Sequence, residues 1–437
     1  VLSTRERALS AINKPAPYGP DIDLSKYRLD EPGVEEAGEL DSTVLNAASR
    51  VGLESTGLAY VQSNERALYT AIAKALEKYS VLVLPTREAL TRKPHARSLA
   101  WRLLDPASDK YTAHAYLYGG ELGYFIYVPP GVKVPIPIYT CLAITTNNTI
   151  QFTHNIVYVD EGAEAHLVTG CAIPHGVKDG VHIGISEFYV SRSARLTFTM
   201  LHAWAEGLHV RPRTVVSVEE GGEYVSYYVT YSPVASIQTY PVVYLGRNTR
   251  AYLASIIASS GRGVYDIGSK AVLEGPGSSA ESISRVVARD ESLVYTRAEL
   301  EALESDTRGH IECLGLLLSP SAAISSIPVI TSRKQGAVLS HEAAIGLIAD
   351  RELDYLMSKG FTEEEAKAVL VRGFMNIDAP LPTSIRKQVG LHPRLSRKAR
   401  CWLATFTTQS PNYTLLSWME RFIRALDISI DISGDIL

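Results

Sequence analysis

A chain of 437 residues with a formal net charge of -4 is long enough to bury a large core without staples, and its charge offers no footprint for nucleic acid or an acidic membrane. No uninterrupted apolar run reaches membrane-spanning length, and Val1 to Arg7 lacks the basic-then-apolar pattern of a secretion signal. The four cysteines, Cys141, Cys171, Cys313 and Cys401, stand far apart with no Cys-x-x-Cys pair, which argues against a disulfide framework or zinc knuckle and fits a reducing cytoplasm.

In chain order, residues 3 to 13 have a helical pattern that Pro15 to Pro20 breaks. More helix is predicted between Asp41 and Leu82, above all from Ser63 to Tyr79. There Ala67, Leu68, Ala71, Ile72, Ala75 and Leu76 recur at helical spacing behind Ser63 and Asn64 as cap candidates. Val81 to Pro85 reads as a short buried strand with a helical turn after it. Residues 1–110 thus form an N-terminal helical domain.

From 111 to 339 the composition shifts to Val, Ile, Thr, Tyr and Gly, in strand-length runs closed by Gly or Pro, with no helix expected. Tyrosine outnumbers phenylalanine 24 to 8, which suits strands whose outer faces meet water. Three closures look alike: Val159-Asp160-Glu161-Gly162, Val218-Glu219-Glu220-Gly221 and Leu273-Glu274-Gly275, spaced 59 and then 54 to 55 residues apart. Sandwich, barrel and β-helix all fit the pattern, and the regular return of acidic-glycine turns favours a β-helix.

Residues 340–437 read as a C-terminal helical domain. Asp350 to Lys359 is a helix stopped by Gly360, and Thr362-Glu363-Glu364-Glu365 is a capping box that opens the next one. Arg394 to Arg400 is a short basic run, and Tyr413 to Leu426 a last amphipathic helix before an acidic tail.

The residues with chemistry are scattered. Cys313 precedes Glu342 by 29 residues, about one to one and a half turns of a β-helix, a spacing that would bring a thiol near His341 and Glu342. Such a trio suits a cysteine hydrolase, a metal site or a cluster site, and no protease motif or phosphate loop decides among them. Taken alone, Cys313 and Cys171 read first as small core hydrophobes and His341 as a satisfied polar residue. Paired carboxylates on neighbouring coils, which a β-helix carbohydrate-active enzyme would want, are represented only by solvated acids of the Asp160-Glu161 kind.

Larger blocks resemble a known family, the SufB/SufD scaffold proteins of iron–sulfur cluster assembly. Phe125-Ile126-Tyr127-Val128-Pro129-Pro130-Gly131-Val132 is similar to its entry motif, and Gln151-Phe152 with Gly170-Cys171-Ala172-Ile173-Pro174 to its next block. Ser340-His341-Glu342-Ala343, Leu356-Met357-Ser358-Lys359-Gly360 and Arg372-Gly373-Phe374 are similar to its C-terminal signature. Cys171, Cys313 and Glu342 resemble the SufB pattern more than the SufD one.

That resemblance implies a right-handed parallel β-helix core flanked by N-terminal and C-terminal helical domains, and a scaffold rather than an enzyme. It implies Cys171 as sulfur acceptor and Cys313, His341 and Glu342 as ligands to the metal of a transient iron–sulfur cluster. Its implied partners are a SufC-like ATPase docked on the C-terminal helices, a sulfur-donor protein, and a second chain in a homodimer or a heterodimer with a SufD-like subunit. A SufD-like, structural role in the same complex is the alternative. The sequence departs from the SufB pattern at Ser340, where a glutamate is expected, at His202-Ala203-Trp204 in place of Gln-x-Trp, and at Leu142-Ala143-Ile144-Thr145 in place of a polar block. At roughly 20 residues per coil, Cys171 and Cys313 are expected about 34 Å apart.

Overall fold

The computed structural model describes residues 2–30, 33–36, 40–53, 57–69, 76–348 and 350–375. The protein is mainly β, with 46% strand and 19% helix, and its body is a parallel β-solenoid of about 8 turns with helices toward both termini. Strands of the early coils are buried almost throughout, and those of the later coils alternate. In Arg308–Leu317, for example, Gly309, Ile311, Cys313 and Gly315 are buried while Arg308 is exposed and His310, Glu312 and Leu314 are half-buried, the signature of a strand with one face on a core.

One wall of the solenoid is an 11-stranded sheet whose last eight strands follow chain order. They are β1 (Ile138–Ala143), β2 (Glu164–Ala172), β3 (Arg195–Ala203), β4 (Glu223–Thr230), β5 (Arg250–Ser259), β6 (Ser279–Ala288), β7 (Arg308–Leu317) and β8 (Val338–Leu347). The strands between them in sequence build the facing 12-stranded sheet. The core runs between the walls and includes Trp204, Phe188 and Phe198, the last two meeting edge to face at 4.9 Å.

Register fixes the coil length. Cys171 pairs with His202, His202 with Thr230, Thr230 with Ile257 and Ile257 with Val286, so a coil takes 31, 28, 27 and 29 residues in turn. The acidic-glycine turns, which use left-handed Gly162 (φ 64°) and Gly221 (φ 69°), therefore recur every second coil, and the expected 20-residue coil is corrected to about 29.

The N-terminal region belongs to the same compact unit, which spans Val1–Ile345. Among the described residues its α-helices are α1 (Thr4–Ser10), α2 (Ser42–Arg50), α3 (Thr86–Arg92), α4 (Pro94–Leu99) and α5 (Lys110–Tyr118). Leu90 and Leu99 pack on Phe125 and Ile156, and Tyr111 on Ile150 and Ile183, covering the outside of the 12-stranded wall.

Two predictions fail here. The helix expected from Ser63 to Tyr79 is a β-hairpin at its start: Leu58–Ser63 pairs antiparallel with Arg66–Tyr69 and parallel with β1. Asn64 (φ 48°), read as a cap, is the hairpin turn, and pairing with an existing sheet edge outweighs helical spacing. Residues 70–75 lie outside the described residues. The segment from 111 was read as free of helix, yet α5 occupies it, capped by Asp109, whose carboxylate accepts from the Tyr111 and Thr112 amides. At the other end the strands continue past 339, so Ser340, His341 and Glu342 lie inside β8.

The second unit, Gly346–Leu437, holds α6 (Asp350–Ser358) and α7 (Glu363–Met375). Leu356, Phe361, Ala366 and Val369 form its core, Gly360 takes φ 94°, and Thr362 and Glu365 cap each other reciprocally. The basic run at 394–400, the helix predicted from Tyr413 and Cys401 lie outside the described residues. Among the described residues no helix is long and apolar enough to cross a membrane.

Candidate functional site

Cys313 lies on β7, in register with Ser284 of β6, and is 2% exposed. Two hydrogen bonds and two close approaches at glycines set the register of β8 against β7. His310 Nδ1 and Ser340 Oγ share a hydrogen bond at 2.9 Å, and the Val338 amide donates to the Thr307 carbonyl at 2.9 Å. A Cβ on Gly309 would meet Leu339 at 2.8 Å, and one on Gly315 would meet Ile345 at 3.1 Å.

This register puts Ala343 beside Cys313, His341 beside Ile311 and Glu342 beside Glu312. Cys313 and His341 thus share the inner face of the sheet, one diagonal step apart on adjacent strands. Glu342 lies on the outer face, next to Glu312, which is ion-paired with Arg285. Both His341 and Glu342 are exposed. Among the described residues no three His, Cys, Asp or Glu side chains gather as a metal-binding group, so one chain brings Cys313 and His341 together and leaves Glu342 on the other side.

Cys171 sits deeper, on β2, between Leu142 of β1 and His202 of β3, and is fully buried. Five strand steps separate it from the row of Cys313, about 24 Å at ~4.8 Å per step, which shortens the expected 34 Å because the coils are longer. Burial, with Cys141 as neighbour, pushes its thiol well above the ordinary range, and burial alone takes Cys141 up to about 12. Both thiols are free and protonated at neutral pH.

Polar groups surround Cys171. His202 Nδ1 accepts from Trp204 Nε1 at 2.8 Å, and His182 Nδ1 bonds Gln151 Oε1 at 2.9 Å. Burial drops His202 to about 3 and His182 to about 4, so both rings are neutral. A cavity lined by Met200, Tyr224, Tyr228, Ser255 and Ser269 lies between the walls toward β5. From outside, Arg50 at the end of α2 donates to the carbonyls of Ile173 (2.7 Å) and Trp204 (3.2 Å), while Val51 and Leu53 press on Gly170.

His310, Tyr228 and Thr230 were not singled out from sequence. The signal that finds them is the coil length: His310 lies 30 residues before Ser340, and Thr230 28 after His202.

Together the fold and the site define a class of protein, a parallel β-solenoid that encloses thiols in its wall and sets a cysteine and a histidine on one face of its last two strands. The chain belongs to the SufBD family. The family model described as "SUF system FeS cluster assembly, SufBD core domain" matches residues 142–374. Similar curated proteins, each named an iron–sulfur cluster assembly SufBD family protein, include one from Methanothermobacter thermautotrophicus strain Delta H, 38% identical over 91% of this chain and 97% of its own. One from Archaeoglobus fulgidus is 37% identical over 85% of this chain and 95% of its own, and one from Pyrococcus horikoshii 32% identical over 78% of each.

Proposed function

We infer that this chain is a SufB-like scaffold on which an iron–sulfur cluster is built. The carrying observation is the placement of Cys313 and His341 one diagonal step apart on the inner face of β7 and β8, at the end of the wall, with a second thiol enclosed upstream. Cys171 accepts sulfur, and Cys313, His341 and Glu342 hold iron. One thiolate with an imidazole and a carboxylate gives mixed ligation that holds a nascent cluster and lets it go.

Because Glu342 is on the opposite face from Cys313, the ligand set is completed across a dimer interface rather than within one chain. The partner is a second copy or a SufD-like chain. A SufC-like ATPase supplies the energy through the helices that follow β8, and a sulfur-donor protein loads Cys171; the assembly works in the cytoplasm.

Anaerobic reconstitution with iron and sulfide tests the reading. The expected result is visible absorbance on a dimer that Cys313→Ala largely removes. A SufD-like role is the second reading, favoured by the absence of a complete ligand group among the described residues. A protein that loads nothing alone but loads when mixed with a SufB-like chain would establish that role instead.

A further inference from the structure

Cys171, His202 and Thr230 occupy one cross-strand row on β2, β3 and β4, each fully buried. His202 Nε2 and Thr230 Oγ1 have no hydrogen-bond partner, and neither has the buried hydroxyl of Tyr228, whose ring leans at 45° against that of His202 with centroids 4.7 Å apart. Leaving three such groups unpaired in a core is unfavourable, so their persistence on one side of a thiol needs a reason.

The tautomer of His202 supplies it. An indole N–H only donates, so Trp204 fixes His202 Nδ1 as acceptor and the ring proton rests on Nε2. His202 therefore presents an unused N–H, and Tyr228, two residues before Thr230 on the same face of β4, an unused O–H. Both are donors, and a neutral thiol is a poor acceptor for either. A sulfur anion is a good one.

We propose that His202 Nε2–H and Tyr228 O–H hold the terminal sulfur of a persulfide formed on Cys171, making this row a receiving site for sulfane sulfur. The inference rests on the reading of Cys171 as sulfur acceptor. In the loading step Cys171 Sγ bonds the terminal sulfur of a donor persulfide or polysulfide, and the donor's S–S bond breaks. The bonding pair leaves on the donor sulfur, which takes up the Cys171 thiol proton. The negative charge then rests on the terminal sulfur at Cys171, where the two donors meet it. In a dry core without them that charge would be strongly disfavoured. His202 and Tyr228 are positioning residues.

The test loads the full-length protein anaerobically with inorganic polysulfide, removes excess, and follows the Cys171 persulfide over time by alkylation and mass measurement of the peptide. Tyr228→Phe removes only the unpartnered oxygen, so a purely structural role predicts equal or greater stability and unchanged persulfide. The proposal predicts retention reduced about tenfold in Tyr228→Phe and in His202→Leu, with His202→Gln, which restores an N–H donor, close to wild type. Wild-type protein that holds persulfide while both Tyr228→Phe and His202→Leu hold it equally well overturns the proposal and leaves Cys171 as acceptor. Wild-type protein whose Cys171 takes no sulfur overturns the acceptor reading itself, and the proposal with it.

Discussion

His341 and Glu342 are chain neighbours on opposite faces of one strand: His341 shares the inner face with Cys313, and Glu342 stands beside Glu312 outside. Their roles are therefore separable. His341→Ala is expected to lower cluster loading in the isolated protein. Glu342→Gln is expected to leave loading in the monomer unchanged and to weaken it only in the dimer. Reconstitution on size-separated monomer and dimer, scored by absorbance and iron content, checks this; equal losses in monomer would show that both act within one chain.

Arg50 ties α2 to the carbonyls of Ile173 and Trp204, two residues beyond Cys171 and His202. In a Cys401→Ser background, native Cys141, Cys171 and Cys313 are expected to react slowly with an alkylating reagent, because all three are buried. Arg50→Ala, losing two charge-assisted bonds, should speed labelling of Cys171 by about tenfold and leave Cys313 unaffected. Time-resolved mass mapping reads both rates.

Glu187 anchors the segment after α4. Its carboxylate accepts from the amides of Trp101 (2.5 Å), Leu103 (2.6 Å) and Leu104 (3.2 Å) and meets His154 Nε2 at 2.8 Å, with no exposure. Glu187→Ala leaves three amide donors, two part-buried and one buried, and a buried imidazole unpaired, so a loss of roughly 3–5 kcal/mol is expected in denaturant unfolding. A loss under 1 kcal/mol would mean the loop repacks.

Glu65 gives the stability a pH slope. Burial raises its carboxyl to about 8, one oxygen accepting the Phe152 amide at 2.6 Å and the other without a partner. Between the ordinary carboxylate range and pH 8 the folded chain keeps a proton that the unfolded chain releases. This contribution therefore favours folding at low pH and is lost as pH rises toward 8, by roughly 3–5 kcal/mol in all. Glu65→Gln should flatten that decline in unfolding midpoints measured from pH 5 to 8; an unchanged slope would assign it to other groups.

What the sequence reveals depends on how local the cause is. The α6–α7 hairpin was legible because Gly360, Thr362 and Glu365 act within one turn of themselves. The β-helix was legible from the acidic-glycine turns, but only every second coil carries one, so the coil length was misjudged and the Cys171 to Cys313 separation with it. The start of the Ser63 to Tyr79 helix failed because pairing of Leu58–Ser63 with β1, some 80 residues away in sequence, decides the hairpin, while Glu77–Tyr79 at its end is a short 3-10 helix. That His341 falls on the strand next to that of Cys313 was legible in approximate spacing. The outward placement of Glu342 was not, since a face is settled by an exact count, and neither were the unpaired groups beside Cys171.

That exact count has a parity. Thirty residues from β7 to β8 is an even step, and along a strand even and odd positions face opposite ways. Deleting one residue between 318 and 337 would turn the strand over, bringing Glu342 in toward Cys313 and sending His341 out, with none of the three residues mutated. Deleting two would restore the arrangement. The identity of the side chain that shares the thiol's face is thus encoded in the length of the stretch between the two strands, and insertions there act as an on–off code rather than a graded one.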